Sequence, residues 1–283
     1  MAEQPMISRI RNFLRRRAPS SEFESSFDQY VTSTPHHQNA IEALAGWNSA
    51  FPASLDLKAG PHHLYADPRI EWAISQYGEI EDKKILEVGP LEGMHTFMLN
   101  KWRPKLIDAI EANRICYLRC LVTKQILDLD RATFYLGDAQ RWLETPRDPY
   151  DLTVASGVLY HLADPGGFLR RVSEQTRSLY IWTHYFDDVA MPDSDIRRTP
   201  FTGKIETRSV NGYNVRYYER SYQHANESRS FCGGIRDRHY WMHKEDIVGL
   251  LQWLGFEHVI IHDDEPAHSG GPCFSIFARA RSE

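Results

Sequence analysis

The stretch ILEVGPLEG, residues 85–93, joins an apolar run to an acid and two glycines. An apolar run that follows the charged segment EDKK is typical of a parallel strand covered on both faces. Gly89 and Gly93 allow a sharp turn toward a helix, which leaves unpaired backbone N–H groups facing a ligand. Glu87 is expected near the carboxyl end of the strand, the edge at which open α/β sheets bind ligands. The stretch therefore predicts a nucleotide-cofactor loop.

Two familiar phosphate-binding loops do not fit this spacing. It is neither G-x-G-x-x-G nor G-x-x-x-x-G-K-[ST], so a dinucleotide or a nucleoside triphosphate is not the first expectation. Three further strand signals follow along the chain. They are LIDAIEAN (106–113), which contains Glu111, ATFYLGDA (132–139), which ends in Gly137-Asp138-Ala139, and YDLTVASGVLYHL (150–162), which contains Ser156 and Gly157.

The loop follows the pattern E/D-x-G-x-x-x-G and resembles motif I of the class I S-adenosylmethionine-dependent methyltransferases. The next three signals come in the order that this family uses. The resemblance implies S-adenosyl-L-methionine as the cofactor and S-adenosyl-L-homocysteine as the product. It also implies cofactor contacts from Glu87, Gly89 and Gly93 at the methionyl moiety, Glu111 at the ribose, Asp138 and Ala139 at the adenine, and Ser156 and Gly157 beneath the sulfonium.

The same resemblance implies the architecture. We expect an α/β fold with a Rossmann-like, seven-stranded, mostly parallel sheet in the order 3-2-1-4-5-7-6 and helices on both faces. A basic, Ser-rich tail (1–35) and a helical cap (36–80) precede the methyltransferase domain (81–283). An insert at 187–242 contains a β-hairpin and is the expected acceptor lid. One departure from the family is Leu91, because many members have glycine there; this residue is expected to narrow the loop.

Composition sets limits on the partners. A net charge of -5 over 283 residues gives no general attraction to a polyanion, which disfavours nucleic acid without excluding a local basic patch. No apolar run approaches the roughly 18 residues of a membrane span, and no secretory signal is visible, so a soluble cytoplasmic protein is expected. The four cysteines form no C-x-x-C pair; Cys116 and Cys120 are expected to be reduced core residues. The oligomeric state is not indicated.

Two segments before the first strand leave alternatives open. Five arginines between Arg9 and Arg17 are interleaved with apolar residues, as in a basic amphipathic helix for an anionic surface or in a solvated, frayed terminus. The segment HHQNAIEALAGW (36–47) predicts a helix. Its residues Gln38, Asn39 and Trp47 either contribute to the cofactor or acceptor pocket or pack within an ordinary cap.

The insert contains the strongest hairpin signal of the chain. KIETRSV and YNVRYYER flank Asn211-Gly212, a pair that favours a two-residue turn. Tyrosines and arginines of the hairpin can stack on a sugar or base and bind an anionic group, with Tyr213, Arg216 and Tyr217 as the candidate acceptor-binding residues. The same residues can equally form an amphipathic ribbon that covers the sheet edge.

Methyl transfer to a hydroxyl needs a base, whereas an enolate, amine or thiolate acceptor can react without one. His161 is the leading candidate, because it follows the fourth strand together with Tyr160, a candidate acceptor-binding residue. His184 is the second candidate base, and the adjacent Tyr185 is a further candidate acceptor contact. We predict no metal site: His184 with Asp187 or Asp188 supplies suitable ligand types, but an acidic solvated turn explains the same residues. Cys232 has no recognisable activating partner.

The segment SGVLYHLADP (156–165) resembles the corresponding turn of the bacterial enzymes that modify the wobble uridine of transfer RNA with carboxy-S-adenosylmethionine. The preferred function remains methyl transfer to a small metabolite, a natural-product intermediate or a saccharide, at oxygen. A tRNA uridine-modifying (carboxy)methyltransferase is the alternative. A cofactor-binding protein without transferase activity, in which Leu91 distorts the loop, is a third possibility.

Overall fold

A computed structural model of the chain describes residues 26–228 and 230–281. The arginine-rich segment and most of the Ser-rich tail lie outside the described residues. The helices are α1 (His37–Glu42), α2 (Pro68–Tyr77), α3 (Met94–Asn100), α4 (Arg114–Leu127), α5 (Ala139–Trp142), α6 (Pro165–Ser173) and α7 (Lys244–Trp253). The strands are β1 (Lys84–Val88), β2 (Leu106–Glu111), β3 (Ala132–Leu136), β4 (Leu152–Ser156), β5 (Ser178–His184), β6 (Phe201–Val210), β7 (Tyr213–Arg220), β8 (His239–Met242), β9 (Phe256–Glu265) and β10 (Cys273–Ala280).

The main sheet has seven strands in the order β3-β2-β1-β4-β5-β10-β9. Strands β1 to β5 are parallel to one another, and β10 pairs antiparallel with both β5 and β9. Because β9 and β10 are the sixth and seventh strands of this sheet along the chain, the predicted order 3-2-1-4-5-7-6 is confirmed. The carboxyl ends of β1 to β4 therefore meet at one edge, where the predicted loops follow them.

Apolar side chains cover both faces of the sheet, as predicted. One face packs against α2, α3 and α4 through residues such as Ile70, Met98 and Cys120. The opposite face packs against α6 and α7 through Phe168 and Ile247. Both clusters contain fully buried strand residues, so the sheet lies at the centre of the core.

The insert forms a separate three-stranded antiparallel sheet in the order β6-β7-β8. Asn211 and Gly212 both have positive φ, at 49° and 88°, as a type I′ hairpin turn requires. The predicted hairpin is therefore present, and β8 adds a third strand that the sequence reading did not include. Val215 and Tyr217 of this sheet are buried in the same cluster as α6 and α7, so the amphipathic-ribbon interpretation describes the hairpin.

The cap is less helical than expected. The helix predicted over residues 36–47 spans only His37–Glu42, and the chain then runs irregularly to α2. Trp47 packs in an aromatic cluster with Phe51 and Tyr65, while Gln38 forms hydrogen bonds with the backbone of Lys58. These contacts are packing within the cap, which is the second of the two alternatives for this segment. Asn39 likewise donates to the carbonyl of Thr34.

Four free cysteines are present among the described residues, and Cys116, Cys120 and Cys273 are buried, in keeping with reduced core thiols. No helix of the described part of the chain is both long and apolar enough to cross a membrane. The cytoplasmic location stays a prediction.

Candidate active site

The loops that follow β1, β2, β3 and β4 enclose a cavity of about 480 Å³. This volume is typical of small-molecule sites, which span about 300–1,000 Å³. Eight predicted site residues form part of its wall: Gly89, Glu111, Asp138, Ala139, Ser156, Gly157, Tyr160 and His161. The structure thus brings residues 72 positions apart in sequence, from Gly89 to His161, to one cavity at the carboxyl edge of the sheet.

The first loop depends on its glycines. Gly89 has φ +67°, and a Cβ atom there would lie 2.9 Å from Val158 Cγ2. Gly93 has φ +82° and immediately precedes α3; its Cβ atom would lie 3.2 Å from Thr123 Cγ2. Because both positions combine a left-handed backbone with a close neighbour, a larger residue at either would disturb the loop. Gly93 supports the loop from behind and does not line the cavity.

Leu91 adopts the backbone that glycine would take in this loop. Its φ is +57°, a left-handed conformation that costs an L-residue roughly 1–2 kcal/mol. The side chain packs against the cap cluster around Met94 while also lining the cavity. The departure from the family pattern is therefore accommodated by contact with the cap, and the loop keeps its turn.

Glu87 lies beneath the loop and is absent from the cavity wall. Its side chain is buried, and its Oε2 atom accepts a 2.5 Å hydrogen bond from the Thr96 hydroxyl. Burial, with a smaller contribution from Glu111, raises the pKa of this carboxyl to about 7. A direct contact between Glu87 and the methionyl moiety stays a prediction; the observed contact joins β1 to α3.

Replacing Glu87 by glutamine should change how stability depends on pH. Between pH 4.5 and about 7 the native carboxyl holds a proton that the unfolded chain has lost, so the free energy of unfolding falls as pH rises. The full fall is about 3 kcal/mol for a shift of this size. Glu87→Gln should remove this contribution, which urea unfolding at pH 5 and pH 8 would measure in both proteins. Equal pH dependence would show that Glu87 is ionised in the native state.

Glu111 ends β2 and is directed at the cavity. Its Oε2 atom accepts the N–H of Leu91 at 3.1 Å, and its Oε1 atom accepts the N–H of Asn113 at 2.7 Å. Burial raises the pKa of Glu111, while these backbone hydrogen bonds oppose that rise. Each carboxylate oxygen retains a further lone pair, so the group can still accept hydrogen bonds from a ligand.

Asp138 follows β3 and caps α5, since its carboxylate accepts the N–H of Gln140 at 2.9 Å. Asp138, Ala139 and Gln140 all line the cavity. The third strand ends at Leu136, so the predicted strand 132–139 overran by three residues: Gly137 is the turn and Asp138 the cap. This placement leaves the acid at the cavity, as the resemblance implied.

A cationic group that the sequence reading missed also faces the cavity. The carboxylate of Asp67 binds Arg69 through Nε at 2.9 Å and Nη2 at 2.6 Å, and His95 Nε2 at 3.0 Å. Burial alone would raise the pKa of Asp67, but these hydrogen bonds outweigh it and hold the pKa well below its ordinary value. Arg69 stacks over Trp182 and, like His95, lines the cavity. In the sequence, the DPR motif (67–69) at the start of α2 was the signal from which this cationic group could have been predicted.

Tyr160 and His161 stand at the other end of the cavity, beyond β4. The Nδ1 atom of His161 lies 2.6 Å from the Tyr222 hydroxyl, which also accepts the N–H of Gly234. Burial, then the neighbouring His239, lowers the pKa of His161 to about 3. His161 is therefore neutral at physiological pH, as a proton acceptor must be.

A half-buried arginine adds to this effect. Arg220 stacks on Trp241 and on Phe201, and its buried Nε atom has no hydrogen-bond partner among the described residues. Burial lowers its pKa to about 10, so it remains a cation. Its charge disfavours protonation of His161 and of His184, whose pKa burial lowers to about 4.

The C-terminal part of the insert covers the cavity. Residues 231–235 line it, and Asn113 Nδ2 donates to the carbonyl of Phe231 at 3.2 Å. A Cβ atom on Gly234 would lie 2.2 Å from the carbonyl oxygen of His161, so only glycine allows this approach. These residues belong to the insert (187–242) that is the expected acceptor lid, and the glycine pair Gly233-Gly234 was the sequence signal for this contact.

Four of the five predicted acceptor-binding residues lie outside the cavity wall, and any contact of theirs with the acceptor stays a prediction. Tyr217 is buried and binds Asp164 and the N–H of Gly166; Arg216 pairs with Asp246 at 2.8 Å. The Tyr213 hydroxyl lies against α7, and Tyr185 binds Asp264. Tyr213 and Tyr217 pack against α7 and α6, Arg216 is paired with an acid of α7, and Tyr185 follows β5 and is bound to β9. His184 also lies behind the wall formed by Tyr160 and Trp182.

Comparison with known proteins supports the fold. The sequence matches no protein-family model and no curated protein. Among solved structures, the N-terminal domain of EvdMO1, crystallised in the presence of SAH and D-fucose, has a TM-score of 0.64 at 20% identity, over 86% of this chain and 95% of that domain. The longer EvdMO1 chain gives 0.55 at 18% identity, and this chain spans only 47% of it.

A Listeria monocytogenes protein assigned to the S-adenosylmethionine-dependent methyltransferases is also similar, with a TM-score of 0.50 at 12% identity over 77% of this chain and 100% of that one. At such identities the likeness establishes the fold. The chain therefore has the Rossmann-like fold of the class I S-adenosylmethionine-dependent methyltransferases, and the predicted fold class is confirmed.

Proposed function

We propose that this protein is an S-adenosylmethionine-dependent methyltransferase that methylates a small metabolite, a natural-product intermediate or a saccharide at oxygen. One observation carries the proposal: the carboxyl ends of four adjacent parallel strands, β1 to β4, place Gly89, Glu111, Asp138, Ser156 and Gly157 around one cavity, in the order that the methyltransferase resemblance implies. The solved neighbours crystallised with SAH support the same cofactor.

The cavity offers each part of the cofactor a suitable partner. Glu111 accepts hydrogen bonds from the ribose hydroxyls, and Asp138 accepts one from the adenine amino group. Arg69 receives the methionyl carboxylate, since Asp67 binds its Nε and Nη2 atoms and no described residue forms a hydrogen bond with Nη1. When bound, the cofactor supplies an electrophilic methyl group on a sulfonium.

The acceptor enters beside Tyr160 and His161, under residues 231–235 of the insert. His161 acts as the base: its Nδ1–H donates to Tyr222, and Nε2 accepts the proton of the acceptor hydroxyl. Because burial lowers the pKa of its conjugate acid to about 3, the neutral His161 imidazole is a weak base, and the proton leaves only as bond formation to the methyl group makes the hydroxyl acidic. The protein otherwise aligns the reactants and excludes water.

Replacing His161 by glutamine should lower turnover by about 10²–10⁴-fold while leaving affinity for S-adenosylhomocysteine unchanged. In the wild type, kcat/KM should not fall as the pH is lowered through 6.5, because burial holds the pKa of His161 near 3. His258→Gln, on the exposed side of β9, is the matched control. Turnover in the His161 variant equal to that of the wild type would show that His161 is not the base. A wild-type kcat/KM midpoint near pH 6.5 that the variant lacks would show that His161 titrates in the ordinary range.

The experiment that tests the proposed function is an acceptor screen with methyl-labelled S-adenosylmethionine. It should include free sugars, glycosides, phenolic metabolites and unmodified transfer RNA. We expect label in a hydroxyl-bearing small molecule, and the presence of D-fucose with the EvdMO1 domain makes deoxysugars the first set to try. Cofactor binding without transfer to any acceptor would favour the non-catalytic interpretation.

One observation favours the second candidate, a tRNA uridine-modifying (carboxy)methyltransferase. Beside the cavity, a surface groove between α6 and the β6-β7-β8 sheet is lined by five arginines: Arg170, Arg171, Arg208, Arg236 and Arg238. Several of them already pair with acids, for example Arg170 with Glu174 and Arg208 with Glu206, which reduces the attraction for phosphate. If transfer RNA were the acceptor that becomes labelled, and no small molecule were, and if this labelling disappeared at high salt, the second candidate would replace the first.

A further inference from the structure

A cluster of two histidines and a cysteine lies immediately behind the acceptor end of the cavity. His184 and Cys273 are directly opposite each other in the antiparallel pairing of β5 with β10, so their side chains leave the sheet on the same face. His268, in the loop between β9 and β10, completes the group. One ligand atom from each of the three residues lies within 4.8 Å of the other two.

From this geometry we infer that His184, His268 and Cys273 bind a zinc ion. Imidazole nitrogen and thiolate sulfur are the donors that zinc prefers, and three protein ligands leave a fourth position open. Binding forms one metal–sulfur and two metal–nitrogen bonds, and the thiol proton of Cys273 leaves to solvent. The site is independent of the proposed transferase activity and was not expected from the sequence, which paired His184 with Asp187 or Asp188.

His184 has one ring nitrogen available to bind a metal. Its Nδ1–H donates to the carbonyl of Gly271 at 2.9 Å, which leaves the lone pair on Nε2 free. Such a hydrogen bond to the far nitrogen is the usual second-shell partner of a ligating histidine. The ring also stacks on Trp241 with an interplanar angle of 5°, so rotation of the side chain is restricted.

The other two ligands need little rearrangement. The Cys273 side chain is buried, so its sulfur is shielded from solvent. The His268 ring lies 5.3 Å from that of His184, and its Nδ1 accepts only the local N–H of Gly270 at 3.1 Å. That hydrogen bond is given up on binding, since the metal-bound ring must either use Nδ1 itself or carry its proton there. A bound ion would hold the β9–β10 loop against β5. The ring of Tyr160 would separate this ion from the cavity.

The test is a titration of the metal-stripped full-length protein with cobalt(II), which reports ligand type through its absorption spectrum. We expect one ion per chain, a tetrahedral cobalt spectrum with a thiolate-to-cobalt charge-transfer band, and displacement by zinc. Cys273→Ser should abolish the charge-transfer band. His268→Ala, in a loop where loss of the side chain leaves the sheet intact, should weaken binding at least 10-fold.

Cys120→Ser and His262→Ala are the matched controls, because neither residue belongs to the cluster. Circular dichroism and S-adenosylhomocysteine binding would verify that each variant is folded, whatever its affinity for metal. The inference would be overturned if the wild type took up no cobalt or gave a spectrum without the thiolate band. It would also be overturned if the His268 and Cys273 variants bound cobalt as tightly as the wild type. Loss of metal with cofactor binding intact would leave the proposed function untouched.

Discussion

Glu111→Gln is expected to weaken binding of S-adenosylhomocysteine by about 100-fold, which corresponds to about 3 kcal/mol. The wild-type carboxylate accepts the N–H groups of Leu91 and Asn113 and, in the proposed pose, both ribose hydroxyls. Glutamine keeps the shape of the side chain but replaces one acceptor oxygen by a donor. One backbone N–H then faces a like donor, and one ribose hydrogen bond is lost.

A ligand comparison separates the ribose contact from a change in the loop. Wild-type protein should bind S-adenosylhomocysteine about 10-fold more tightly than its 2′-deoxy analogue, whereas Glu111→Gln should bind the two alike. Glu257→Gln, an exposed carboxylate on β9, controls for the lost charge. If the variant still discriminates between the two ligands as the wild type does, Glu111 supports the loop and does not contact the ribose.

Arg119→Met is expected to destabilise the protein by about 3–5 kcal/mol, the usual cost of leaving one member of a buried ion pair unpaired. Arg119 and Glu92 are both fully buried and lie 3.2 Å apart. Glu92 also accepts the N–H groups of Asn48 and Ser49, and Arg119 Nη2 donates to the carbonyl of Ala45. The pair thus joins the cofactor loop and α4 to the cap.

Urea unfolding would measure this effect, with Arg141→Met as the control because its pair with Glu144 is exposed. The double variant Arg119→Met/Glu92→Gln should recover part of the loss, since no buried charge then remains unpaired. An Arg119 variant as stable as the control would mean that water reaches Glu92 in solution. In the expected case, cofactor affinity should fall as well, because Leu91 rests on the cap.

The main sheet and the cofactor loops were predictable because their signals are local. The apolar run before Gly89, the acids at the carboxyl ends of β2 and β3, and the turn Asn211-Gly212 each lie within a few residues and depend on backbone geometry. The order of these signals along the chain then determined the strand order through the family resemblance.

The remaining site residues depend on contacts that are distant in sequence. Asp67 lies 28 residues from His95, and no local pattern pairs them. The hairpin tyrosines satisfied a binding and a packing interpretation equally well, since an aromatic ring serves both purposes. Only the structure shows that residues 231–235, and not the hairpin, cover the cavity.

A calorimetric titration of the full-length protein with S-adenosylhomocysteine tests the central claim, that the cavity after β1 to β4 is a cofactor site, without knowledge of the acceptor. We predict saturable one-to-one binding at micromolar affinity, about -8 kcal/mol, that is weakened by Glu111→Gln and unchanged by Glu257→Gln. Absence of saturable binding by the folded wild-type protein would contradict the account, because the fold would then be present without its cofactor.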